Sequence, residues 1–362
     1  MPQLHSNKSM SSSESIGTHK IRSLPINQWP EADRSAWTAA CRPNERLRRG
    51  GAASHLKAVT RRDLARRYGY FLDYVERSGG LDRNAEAASY VTLDRVERFL
   101  SELQVRVRSV TVYGTIYKVR RTAQLLAPGR DFTWLSEIEN DLALMMQPKS
   151  KFDRLVYNHV LLEAGMTLMA EADSSTWRSA LARARQFRNG LMVAVLAVHM
   201  IRLKNFAALE IGRSFRKIDN IWWIILSATE TKEKRADERL IDECLMRWIE
   251  RYLNVHRPVL ARTDNPPAAL WLSSNDGRAM SYSGVARVIS QTTLATVGID
   301  VSPHLFRTAG ASTAAVYARG NPHLASALLH HTDSRVTEAH YNRASSVSAV
   351  QAYGALITSL RK

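Results

Sequence analysis

PHLFRTAGASTAAVYARGNPHLASALLHHTDSRVTEAHY, residues 303–341, is the stretch that decides how the chain is read. It breaks into three short helices. Pro303 opens the first, and His304 and Arg307, spaced i and i+3, lie on the same side of its first turn. Backbone N–H groups at such a helix start favour an anion. Asn321-Pro322 is an N-cap and N1 pair for the second helix, which delivers His330-His331 at its C-terminal end. Asp333 or Ser334 starts the third, which carries Tyr341. The two imidazoles are adjacent rather than four apart, and the chain has no His-Glu-x-x-His and only two cysteines, Cys41 and Cys244. That spacing suits neither a metal site nor a disulfide scaffold. No Gly-Lys-Ser/Thr phosphate loop and no Gly-x-Gly-x-x-Gly after a strand is present. No cofactor and no metal is therefore expected.

Upstream, residues 175–200 carry a helical pattern that ends in an apolar run, Gly190 to Ile201. NIWWIILS, residues 220–227, is β-branched and aromatic without a breaker, and predicts a buried strand. The polar stretch TETKEKRADER, residues 229–239, predicts a turn, with Leu240-Ile241 as the return strand. A helix is expected over 243–254, a short strand and turn at Trp271-Leu272 and Asn275-Asp276-Gly277, and a further helix from Ser281 or Ser283. This half is mainly α with a small antiparallel β-sheet of about three strands.

The first half is helical and basic. Thr60 is placed to cap a helix with Leu64, Tyr68, Phe71, Leu72 and Val75 inward, and Thr92 one with Leu93, Val96, Leu100 and Leu103 inward. A third spans 109–127 and stops at Pro128-Gly129. Over 41–130 there are 19 Lys/Arg and 9 Asp/Glu, more than half of the whole chain's net charge of +17. Arg61, Arg62, Arg66 and Arg67 cluster on the first helix, and Lys118, Arg120 and Arg121 on the third. Such a face predicts contacts to a polyanion's phosphates.

At 362 residues the chain exceeds a single core. The organisation expected is a flexible polar tail over 1–30, a helical basic domain over 31–146 and a linker over 147–153. A second domain over 154–345 and a C-terminal helix over 346–362 follow. The N-terminus lacks a signal-peptide core, and the longest apolar run falls short of the ~20 residues that span a bilayer. A soluble protein of the prokaryotic cytoplasm or nucleoid, with no membrane partner, is expected.

His304-Leu305-Phe306-Arg307 and Leu328-Leu329-His330-His331 to Tyr341 closely resemble the tyrosine recombinases, the phage-type integrases. The family pattern is His-x-x-Arg, then Leu-Gly-His, then Tyr. Here His331 follows Arg307 by 24 positions and Tyr341 follows His331 by ten. The family's first Arg, after a helix and about 100 residues earlier, matches Arg202, which precedes His304 by 102. Its Lys on a turn between strands matches Lys232, with Lys234 the near competitor. His330 stands where the family has Gly, so His330 competes with His331 for the phosphate, and Asn205 replaces an acidic residue.

The resemblance implies a helical N-terminal core-DNA-binding domain over 31–146, a tyrosine-recombinase-like catalytic domain over 154–345, and a C-terminal helix over 346–362 that docks on a neighbouring protomer or packs on its own domain. It implies a site-specific recombinase acting on double-stranded DNA, as a dimer on each site and a tetramer in the synapse; accessory DNA-bending proteins are a further partner class compatible with it. Tyr341 would be the nucleophile, Arg202, Arg307, His304 and His331 would hold the phosphate, and Lys232 would protonate the leaving oxygen. Paired guanidinium groups, always charged and able to grip two oxygens, suit a phosphodiester whose charge grows in the transition state. The rival readings are a type IB-like topoisomerase with similar residues and a DNA-binding protein without catalysis.

Overall fold

The computed structural model describes residues 21–45, 49–148, 152–231 and 234–317. The chain divides into two compact units, residues 1–149 and 150–362, each with its own apolar core.

In the first unit a 3-10 turn, Ile26–Gln28, precedes α1 (Glu31–Cys41), α2 (Ala58–Arg77), α3 (Leu93–Arg106), α4 (Ser109–Leu126) and α5 (Thr133–Leu144). α2 starts before Thr60, with Lys57 at its N-cap, so Thr60 lies within the first turn. Its inward face is Leu64, Tyr68, Phe71, Leu72 and Val75, the helical stripe expected. α3 follows Thr92, and α4 ends two residues before Pro128.

Part of the stretch expected as a flexible tail is core. Leu24 and Trp29 are buried, and the Trp29 ring packs edge-on against Tyr68, 5.0 Å between centroids. Gly69 makes this possible: a Cβ there would meet the Leu24 carbonyl oxygen at 2.4 Å, while the Leu24 N–H bonds to Gly69 O at 3.0 Å. Composition read the segment as polar because its few large apolar groups, among many polar ones, carry no periodicity. Residues 1–20 lie outside the described residues.

The second unit runs α6 (Asn158–Ser174), α7 (Ala180–His199), α8 (Leu203–Ala207), β1 (Phe215–Ile218), β2 (Ile221–Leu226), β3 (Asp237–Leu240), α9 (Glu243–Arg251), α10 (Arg257–Ala261), α11 (Tyr282–Val297) and α12 (Pro303–Tyr317). It is mainly α with a small antiparallel sheet ordered β1-β2-β3. Two strand expectations are corrected. The return strand is Asp237–Leu240, not Leu240-Ile241, and the third strand is β1, pairing Phe215 with Ile224, rather than Trp271-Leu272. Leu272 makes only an isolated bridge to Ala279. The helix expected over 243–254 passes through a π turn, Tyr252–His256, into α10.

α6 and α7 form the central pair. Gly165 and Gly190 face each other so closely that a Cβ on either meets the other's carbonyl at 2.7 Å. The apolar run of α7 is almost wholly buried from Gly190 to Ala197. At ~1.5–3 kcal/mol for each large apolar side chain, this helix anchors the unit. Among the described residues no helix is long and apolar enough to cross a membrane.

Candidate active site

The candidate site is built on the end of α7. Ser179 caps its start, its Oγ accepting from the Ala182 N–H at 3.2 Å. Its end is set by Met200, left-handed at φ 49°. A helix end leaves its last carbonyls without intrahelical partners and carries partial negative charge, which favours cations there. Side chains from three other elements take up these carbonyls. Asn158 Nδ2 donates to Ala197 O at 2.7 Å, Arg239 Nη1 donates to His199 O, and Arg307 Nη1 donates to Met200 O at 2.6 Å. Arg202 follows two residues later, half-buried, and its carbonyl accepts the first bonds of α8 from Asn205 and Phe206.

Arg307 comes from the first turn of α12 and is 7% exposed. Gly310, one turn on, sets the approach: a Cβ there would fall 1.7 Å from Met200 Sδ and 3.0 Å from Asn158 Nδ2. A pair of candidate arginines 105 positions apart is thereby brought to one helix end. His304, one turn before Arg307, is exposed.

The third contributor is the β2–β3 hairpin. Thr231, buried, donates its hydroxyl to Arg235 O at 2.7 Å and accepts from the Arg235 N–H at 3.1 Å, which closes the turn. At its base Glu230 binds Arg213 at 2.6 Å and the Ser227 N–H at 2.9 Å. These two donors hold its carboxyl down to about 2. Lys234 is exposed and left-handed at φ 56°. Lys232, His330, His331 and Tyr341 lie outside the described residues.

His199 was missed by motif reading. It is 6% exposed, and burial, with the Arg239 guanidinium beside it, pushes its imidazole down to about 4. The group is neutral at pH 7. Arg239 was also missed, because it sits in a run of charges that reads as a solvated turn. It is held by both carboxylate oxygens of Asp237, at 2.8 and 2.9 Å.

In the first unit the seven expected phosphate contacts divide. Arg62 and Arg66 are exposed, Arg66 beside Tyr70 with its guanidinium 5.8 Å from the ring. Arg61 Nη1 donates to Cys41 O at 3.0 Å, Arg67 Nη1 to Thr115 Oγ1 at 3.3 Å, and Arg121 is half-buried. Lys118 pairs with Asp63 at 2.8 Å. Arg120 grips the buried carboxylate of Glu139 with two bonds of 2.7 and 2.8 Å, and its side chain is 16% exposed.

No family model and no curated protein matches the chain. Solved structures do. The crystal structure of XerA recombinase is 17% identical, over 83% of this chain and 94% of that one, with a TM-score of 0.37. XerH site-specific recombinase, bound to difH substrate in a pre-cleavage complex, is 14% identical, over 76% of this chain and 74% of that one, with a TM-score of 0.49.

Proposed function

We propose that this protein is a tyrosine-type site-specific recombinase that cuts and rejoins duplex DNA through a 3′-phosphotyrosyl intermediate. The observation that carries the reading is the convergence of its ordered motif residues. Arg307 of His304-x-x-Arg307 bonds to the carbonyl of Met200, two positions before Arg202. Two guanidinium groups near one helix end suit a phosphodiester that must bear extra negative charge.

In the proposed step, the Tyr341 phenolic oxygen attacks phosphorus in line and loses its proton as the bond forms. A free tyrosine titrates near 10, so a neighbouring imidazole, His331 or His330, would assist. The P–O5′ bond breaks, its electron pair stays on the 5′ oxygen, and the turn lysine, Lys232 or Lys234, supplies that oxygen's proton. Arg202, Arg307 and His304 neutralise the non-bridging oxygens. The phosphotyrosine keeps the bond energy, so attack by another strand's 5′-hydroxyl reverses the step without ATP. Two protomers on each site and four in the synapse would exchange the strands.

The test is covalent trapping. Nicked duplex covering the DNA beside the gene should yield a denaturation-resistant protein–DNA adduct, which maps the cleavage position. Tyr341→Phe should abolish the adduct while leaving binding in a gel-shift assay intact. An adduct that survives in Tyr341→Phe would reject the nucleophile. Relaxation of supercoils without any two-site exchange would favour the topoisomerase.

A further inference from the structure

Arg239 links two of the elements just described. Its guanidinium is forked onto Asp237, two residues back on the same face of β3, and its remaining edge donates to the carbonyl of His199. The side chains of both are largely buried, 11% and 15% exposed. The next carbonyl along, Met200, belongs to Arg307. Two consecutive carbonyls at the end of α7 therefore tie down two different elements, the β-hairpin and α12. β3 begins five positions after Lys232 and three after Lys234, and Ile224 pairs with Arg239 in the sheet. A movement of β3 relative to α7 would carry the turn with it.

We propose that Arg239 is a positioning residue: anchored by Asp237, it holds the β2–β3 turn, and with it the lysine that protonates the leaving oxygen, in register with the Arg202–Arg307 end of α7. The inference rests on the recombinase reading above. Its chemistry is limited to one transfer, in which the P–O5′ bond breaks toward oxygen and the lysine ammonium gives that oxygen a proton. An ammonium displaced by an ångström or so still binds DNA but no longer meets the departing oxygen.

Sulfur in place of the bridging 5′ oxygen separates positioning from general damage. A thiolate, whose acid titrates near 8.5, leaves without being protonated, whereas an alkoxide does not. The probe is the nicked duplex on which the wild-type adduct is mapped, made with oxygen or with sulfur at that position. Arg239→Met is expected to slow adduct formation at least about tenfold on the oxygen duplex and less than about threefold on the sulfur duplex. Lys232→Ala or Lys234→Ala, whichever removes the donor, should show the same pattern, while Arg307→Ala should be slow on both duplexes. Arg239→Lys keeps a cation against α7 but loses the fork, and should fall between wild type and Arg239→Met on the oxygen duplex alone. Equal slowing of both Arg239 variants on the two duplexes, or no slowing on either, overturns the proposal. A wild-type chain that forms no adduct with either duplex overturns the recombinase reading instead.

Discussion

His199, at the end of α7, is a buried base that folding keeps un-ionised. The ring is nearly enclosed and lies beside a guanidinium, and both conditions disfavour imidazolium. An unfolded histidine titrates near 6.5, so between that value and about 4 the unfolded chain holds a proton that the folded chain lacks. Stability linked to His199 is therefore complete above pH 6.5 and drains away as the pH falls toward 4, by at most about 3 kcal/mol. Urea midpoints measured from pH 7.5 to 4 should follow that curve, and His199→Gln should flatten it. A wild-type midpoint independent of pH across this window would show that the imidazole is solvated. Burial is the larger cause, and the Arg239 guanidinium that adds to it is the one that bonds Asp237 on β3 and the carbonyl of His199.

At the scale of elements, α12 reaches its place because position 310 lacks a side chain. Gly310→Ala places a methyl against Met200 and Asn158, both buried, and one of the helices must shift. We expect about 1–3 kcal/mol of destabilisation by chemical denaturation and a slower adduct reaction, because Arg307 lies one turn earlier on the same helix. Met200→Ala in that background should recover part of both losses; no recovery would mean that the strain lies elsewhere. Much of this arrangement was legible beforehand. Ser281, whose hydroxyl accepts from the Gly284 N–H, and the Pro128-Gly129 pair mark their helix ends through local chemistry, and Arg202 and Arg307 stand out by order. What stayed hidden depends on partners distant in sequence. β1 is four residues with three exposed, too short to show alternation, and becomes a strand only through β2. Trp271-Leu272 has strand composition yet finds no neighbouring strand, and spends its indole N–H on Phe206 O. Arg120 reads as one more surface cation until Glu139, nineteen residues away on α5, is seen to close on it. Arg239 is legible only once α7 supplies a carbonyl.

Across the whole molecule, net charge states how strongly a polyanion is attracted but not which cations touch it. The surplus of +17 raises the local potential everywhere, whereas counterion release depends on the few groups that replace ions at phosphates. In the first unit Arg62 and Arg66 are exposed and Arg120 is paired with the buried Glu139, so equal charges should behave unequally. The slope of log affinity against log salt is the quantity that separates them. Each phosphate contact contributes about −0.9, so Arg62→Ala should make the slope shallower by about one unit, and Arg66→Ala likewise. Neither change should move the unfolding free energy by more than about 0.5 kcal/mol. Arg120→Met should do the reverse: the slope stays while about 3 kcal/mol of stability is lost, because a buried carboxylate is left without its cation. Fluorescence anisotropy on a duplex between 50 and 200 mM salt, with urea melts of the same variants, reads both quantities. Should Arg120→Met flatten the slope without costing stability, the Glu139 pair would have to open on DNA and free Arg120 of α4 to reach a phosphate.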